Sequence, residues 1–381
     1  MLDRTFKFLT SLRLTVVLLT LGLVLVFWGT LAQVNLGLYK AQNEFFRSFF
    51  IYWQPGGGSL RVPVFPAGYL VGGLLIVNLF GAHLRYYKPG AKKYGIVMIH
   101  LGIVLLLVGQ FATDLLSTES SMHLRVGDTK NYSEADRAYE LAVVDTTDAQ
   151  ADRVLTIAGH RLQPGRQVPL PGLPFAVKVK QYFINSALSD KPQTNLVPVD
   201  VNSGIGMGLW WTPLAHETEM NKRDIPSGTV ELATPQGSLG TWLISGYLAR
   251  PQEIKHDGRT YQISLRPERY YKPFSIHLLE FRHDKYPGTD IPKNFSSRVR
   301  LSHPEKKEDR EVLIYMNSPL RYGGETYYQA SFDTDNQGSI LQVVRNPSWL
   351  TPYFACVLVS IGMIYQFLSH LIGFAVKRKA A

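Results

Sequence analysis

Hydrophobic positions in this chain collect into four charge-free runs, 14–31, 62–84, 94–113 and 347–376, with one long polar stretch between the third and the fourth. Each run approaches or exceeds the roughly 20 residues that cross a hydrocarbon core of about 30 Å. They predict four transmembrane helices, the first three near 14–33, 65–84 and 94–113. The first run is longer than the roughly 7 to 15 residues of a signal-peptide core. Only Thr30-Leu31-Ala32 offers a weak cleavage site after it, so a retained anchor is expected.

Inside the polar stretch the period changes. Segments 140–144, 153–157, 175–182, 241–248, 260–265, 274–281, 297–301, 311–316, 325–332 and 339–344 are short, rich in β-branched and aromatic residues, and bounded by Gly, Pro, Asn or Asp, so they read as strands. Ala176-Val177-Lys178-Val179-Lys180 alternates, which places one face in a core and the other in water. The fold class that follows is a membrane protein with four transmembrane α-helices and a large extracytoplasmic all-β domain, a sandwich or open barrel. Its parts are a membrane region at 1–116 with an outer loop at 34–64, a β domain at 117–346, and a last helix with a basic tail at 347–381. In the outer loop Phe45, Phe46, Phe49, Phe50 and Trp53 recur at helical spacing beside Glu44 and Arg47, which predicts a short interfacial helix. Pro55-Gly56-Gly57-Gly58 would end it.

Charge sets the orientation. Arg4, Lys7 and Arg13 precede the first helix; Arg85, Lys88, Lys92 and Lys93 fill the connection between the second and third; Lys377, Arg378 and Lys379 follow the fourth. By the positive-inside rule these faces are cytoplasmic, with both termini inside and the β domain outside. Ten of the 40 basic residues lie there against one of the 30 acidic ones, a surplus that supplies nearly all of the net +10. The basic balance is therefore a topology signal, and nucleic acid is excluded as a partner. A single cysteine, Cys356, lies in the fourth helix. Without CxxC or CxxCH the chain is neither a thioredoxin-like reductant nor itself a c-type cytochrome.

Three of the 10 histidines, His83, His100 and His370, fall in or at transmembrane helices. His100 lies roughly 9 Å in from Tyr94 and His370 roughly 9 Å in from Val376, so all three project to the cytoplasmic leaflet. An ionisable group inside a bilayer marks a functional site by default, and neutral imidazole is a good iron ligand. A histidine hydrogen-bonded between helices, or one reaching for the headgroups, is the competing reading, and the residues alone leave both open. Gly95, Gly102 and Gly109 share one stripe of the third helix, about 140° from His100, and read as helix packing. Gly68 and Gly72 form a small-xxx-small pair with the same reading.

Elsewhere no HExxH, GxSxG or Walker-type loop occurs. His277 and His283, six positions apart, would share one face of an unbroken strand at about 20 Å, too far for one metal. Trp210-Trp211 reads as a core or membrane-edge anchor.

Three stretches resemble the ResB (CcsB) family of cytochrome c biogenesis proteins. They are Gly29-Thr30-Leu31-Ala32-Gln33; Tyr286-Pro287-Gly288-Thr289 followed by Phe295-Ser296-Ser297; and Asn317-Ser318-Pro319-Leu320-Arg321-Tyr322-Gly323-Gly324 running on to Tyr328-Gln329. The layout of three helices, an outer domain and one closing helix is similar as well. The resemblance implies a subunit of the system II machinery, which exports haem across the bacterial cytoplasmic membrane and attaches it to apocytochrome c. It implies a transient b-type haem, with His100 as one axial ligand of its iron and the other coming from the partner; His83, at the end of the second helix, is a further candidate haem-binding residue by its position alone. It also implies a ResC (CcsA)-like membrane partner, apocytochrome c, a thioredoxin-like thiol reductant, and lipid around the helices. No catalytic residue is expected on this chain, because the tryptophan-rich haem-handling segment belongs to the partner. Asn346-Pro347-Ser348 stands where many relatives carry D-P-G. The alternatives are an anchored scaffold of the same complex without its own haem site, and a haem-binding electron-transfer subunit.

Overall fold

The computed structural model describes residues 2–55, 60–86, 93–220, 222–289 and 291–380; Gly56 to Gly58, Lys88 and Lys92 lie outside them. The chain divides into two compact units, a helical one comprising Met1–Thr118, Thr218–Met220 and Arg345–Ala381, and a stranded one comprising Glu119–Glu217 and Asn221–Val344.

The helical unit contains α1 (Leu2–Leu9), α2 (Leu12–Leu36), α3 (Leu38–Ala41), α4 (Gly68–Tyr86), α5 (Tyr94–Leu116) and α6 (Thr351–Ala380). Helices α2, α4, α5 and α6 are each long and apolar enough to cross a membrane. Ser11 caps α2, its hydroxyl accepting the Leu14 N–H at 3.2 Å. The turn before α2 is tied to α4 by Asn78, a buried amide. Its Nδ2 donates to the carbonyls of Leu9 (2.7 Å) and Ser11 (3.1 Å), and its Oδ1 accepts from the Thr15 hydroxyl at 2.6 Å.

Two local expectations change here. Residues Val62–Pro66 form a strand, paired antiparallel with Phe50–Trp53, and α4 starts only at Gly68. Pro63 and Pro66 carry no backbone N–H, which a helix interior would need and the edge of a two-stranded ribbon does not. The aromatic loop is helical only as far as Phe46, where α3 continues into a π-helical turn over Gln42–Phe46. Phe45 then packs with Leu25, Ile51 and Ala67, and Trp28 stands edge-on to it at 5.4 Å. These rings form a small core instead of a helix lying along the interface.

The stranded unit is all-β, with two large cores and a smaller cluster around Trp211. One strand, Arg259–Lys285, runs through both large cores, joining the expected segments 260–265 and 274–281. Pro267 and Pro273 do not interrupt it, because the ladder with Thr129–Asp145 shifts register near each of them. Around its first half, a four-stranded sheet (Gly237–Ser245, Ser227–Thr234, Ala176–Phe183, Gln167–Pro169) covers the long ladder, sandwich-fashion. That core holds Leu141, Ile263, Val177, Val230 and Ile244. Around the second half, strands Glu308–Tyr315, Pro292–His303, Thr118–Arg125, Gly338–Arg345, Glu325–Phe332 and Leu320–Tyr322 curl into a nearly closed barrel. Tyr315 and Ser318 pair across the turn that joins its two edge strands, and Met122, Ile276, Val299, Tyr327 and Leu341 fill it.

Candidate functional site

Helices α4 and α5 run antiparallel, so the last turn of the first meets the second turn of the other. His83 and His100 come together there, ring centroids 4.9 Å apart and edge to face. Both are half-buried. Leu79, Ala82, Ile96, Val97 and the two imidazoles line a cavity of about 230 Å³, with Lys93 as the only charged group among the described residues of the lining. His100 Nδ1 is buried and has no hydrogen-bond partner among the described residues. An orphaned nitrogen of this kind costs stability unless something occupies its lone pair or takes its proton.

This donor set suits half of a haem site. An imidazole nitrogen can take an axial position on iron, the apolar walls suit a porphyrin plane, and a lysine suits its carboxylates. It does not make a two-histidine clamp. Two metal–imidazole bonds of about 2 Å each, plus the two ring radii, hold the centroids farther apart than 4.9 Å. The two rings therefore share one pocket but cannot, as placed, grip one iron from opposite sides. The cavity also accommodates only part of a porphyrin, whose remainder would extend past the helix pair.

His370 is elsewhere. It lies on α6, where its Nε2 pairs with Gln366 Nε2 one turn earlier at 2.7 Å. The glycine stripe of α5 separates the two regions. A Cβ at Gly95 would meet Gly362 O at 2.7 Å, one at Gly102 would meet Val359 Cγ2 at 2.5 Å and Ala355 O at 2.9 Å, and one at Gly109 would meet Thr351 Cβ at 3.0 Å. All three glycines thus press α5 onto α6, leaving His100 to face α4. Gly68 and Gly72 do not form a helix-packing pair: Gly68 admits the Phe46 backbone, and Gly72 borders open space.

In the stranded unit the histidines do not converge. A bulge between Leu278 and Glu280 breaks the strand parity that the six-residue spacing assumes. His277 points away from the core and bonds the Thr129 hydroxyl at 2.8 Å, whereas His283 lies against Phe332 at 4.2 Å between centroids. No cluster of three or more His, Cys, Asp or Glu suited to a metal occurs among the described residues. Trp211 is a core residue, packed with Val199, Leu243 and Phe183.

The motif residues of this unit are structural. Asn317 adopts φ 64° and Gly323 and Gly324 adopt φ 61° and 79°, the left-handed pair that a two-residue hairpin turn requires. Ser297 donates to Gln329 Oε1 at 2.6 Å, and Gln329 Nε2 donates to the Ser339 hydroxyl at 3.0 Å, all inside the barrel. Lys272, 4% exposed at its side chain, is neutralised by Glu325 at 2.8 Å, and Glu325 also accepts the Tyr327 hydroxyl at 2.7 Å. Asn346 accepts the Ser348 N–H at 2.8 Å and so opens the turn into α6.

Residues 252–343 match the model of the ResB-like family. Protein NrfI of Wolinella succinogenes is 24% identical over 303 residues, which cover 78% of this chain and 29% of NrfI. The chain thus spans under a third of the length of that curated relative.

Proposed function

We propose that this ResB-like membrane protein serves cytochrome c maturation by holding haem, as cargo, between its membrane helices on the way to apocytochrome c. The observation that carries the reading is the meeting of His83 and His100 on two apolar helices, with His100 Nδ1 left unpartnered among the described residues. In this reading His100 supplies one axial ligand and Lys93 faces the porphyrin carboxylates. The bound iron supplies the coordination chemistry that keeps haem in place. His83 shapes the pocket wall or takes over the ligand position as the cargo moves. The short ring-to-ring distance argues that the opposing axial ligand comes from a ResC (CcsA)-like partner across the open side of the cavity. The basic termini support a location in the bacterial cytoplasmic membrane with the stranded unit outside. There a thioredoxin-like reductant keeps the apocytochrome thiols free, and the β unit contributes docking area instead of bond-making groups.

The test is a deletion strain stained for covalent haem and complemented with wild type, His100→Ala and His83→Ala. Loss of holocytochrome with His100→Ala, together with a reduced Soret band in the purified complex with its partner, is the expected result. Full maturation with His100→Ala sinks the haem site. A scaffold reading has its own support, since two imidazoles in edge-to-face contact also make a plain packing pair. It predicts maturation that depends on the chain but on neither histidine.

A further inference from the structure

At the opposite ends of the same helix pair lies a second, larger cavity, about 500 Å³, that neither the histidines nor the family motifs explain. Its floor exists because α4 carries Gly72 and Gly73 where it passes α5; a Cβ at either would meet nothing within 4 Å. Its walls are one face of each helix: Tyr69 and Ile76 from α4, and Leu107, Gln110, Phe111 and Asp114 from α5. The loop before α4 adds Phe46, Arg47 and Phe49. From Gly68 to Ile76 the groove runs about 12 Å along the helix, from a polar end toward the apolar middle.

The polar end is built. Arg47 Nε donates to Asp114 Oδ1 at 2.7 Å, and the Tyr69 hydroxyl donates to the other oxygen of the same carboxylate. Asp114 is 13% exposed at its side chain. Tyr69 is held edge-on between Phe49 (5.8 Å) and Phe111 (5.7 Å). One cation and one anion cancel, so the lining carries no net charge. An anionic headgroup would have to displace Asp114 from Arg47, whereas a neutral ring with carbonyl or hydroxyl oxygens would not. Such a ring finds donors in the Gln110 amide and the outer N–H groups of Arg47, an acceptor in Asp114, and aromatic walls for its plane. The apolar continuation past Gly72, Gly73 and Ile76 suits a hydrocarbon tail lying in the bilayer.

We propose that this groove binds a neutral, ring-headed isoprenoid lipid, a membrane quinone or quinol. The site is independent of the haem reading, and binding alone is inferred.

The full chain, reconstituted in phosphatidylcholine nanodiscs, is titrated with a tritiated quinone bearing one or two isoprene units. Saturable binding at one site per chain is expected. Gly72→Leu, which fills the groove without meeting backbone, should weaken it about tenfold or more. Gln110→Leu, at an exposed position, should weaken it measurably while leaving the melting temperature unchanged, which guards against a misfolded Gly72 variant. His100→Ala should leave it unchanged, so failure of the haem reading and failure of this one are separable. No saturable binding to the wild type, or binding insensitive to both groove variants, overturns the proposal. Displacement of the quinone by phosphatidylglycerol, with that lipid retained by the wild type and lost from Gly72→Leu, makes the groove a phospholipid site and overturns it equally.

Discussion

Glu325 shows how much a single side chain can hold here. It neutralises Lys272 at 2.8 Å and takes the Tyr327 hydroxyl, both inside the barrel wall. Replacing it with Ala leaves a buried ammonium without its anion, a loss of about 3–5 kcal/mol. A marked fall in melting temperature of the detergent-solubilised chain is expected, largely restored when Lys272→Met accompanies Glu325→Leu. A melt unchanged by Glu325→Ala would mean that water reaches Lys272. Tyr182 makes a separate prediction at high pH. Burial pushes its hydroxyl up to about 12. A phenol whose folded value is raised above its unfolded value of about 10 contributes stability below pH 10 and loses it as pH rises toward 12. The loss amounts to roughly 2–3 kcal/mol. Urea denaturation at pH 9 and at pH 11.5 should show that decline in the wild type and less of it in Tyr182→Phe.

At the scale of elements, the α5–α6 contact depends on three glycines, and the middle one is the most exacting. Gly102→Leu drives a side chain into Val359 and the Ala355 carbonyl, an overpacking cost of about 1–3 kcal/mol. Lower membrane abundance and a lower melting point are expected, whereas Gly73→Leu, which points into open space, should be tolerated by the fold. This stripe is legible in the sequence because a seven-residue spacing fixes one helix face without knowledge of the partner. The pairing of His83 with His100 is not legible, since each histidine marks only its own helix and the antiparallel register decides the distance. The same holds for Arg47, Tyr69 and Asp114, which are 22 or more positions apart and meet only in the fold. Ser227–Thr234 is a central strand that escapes a reading by apolar pattern, because Val230 and Leu232 are its only large apolar residues and the rest is small or polar. Its neighbours on both sides supply the burial that its own sequence does not advertise. The Asn317 to Gly324 segment behaves oppositely. Its Pro and Gly-Gly signals fix a turn locally, and the structure places a tight hairpin there.

For the whole molecule, the distribution of charge makes the sharpest statement, and the single cysteine makes it measurable. Ten basic residues against Asp3 flank the apolar helices at the termini and the α4–α5 connection, so these ends should stay where basic residues are retained, on the cytoplasmic side. The stranded unit, attached through the far ends of α5 and α6, must then be outside. Cys356 lies within α6, and changing it to Ser removes the only native thiol. In that background Lys307→Cys, in the exposed turn between two barrel strands, should react with a membrane-impermeant maleimide in intact spheroplasts. Lys377→Cys should react only after the membrane is permeabilised. Lys307 is a sound probe because it sits at φ 52° in a tight turn and is exposed, so a new thiol there reports on solvent access and not on local packing. The reverse labelling pattern would put the β unit in the cytoplasm, away from any apocytochrome assembled outside, and would remove the physical reason for the proposed passage of haem between these helices. Agreement with the charge rule would put the His83–His100 pocket on the cytoplasmic side, where the proposed haem cargo would enter, and the aromatic groove on the outer side. The two cavities would then face the two aqueous compartments from opposite ends of one helix pair.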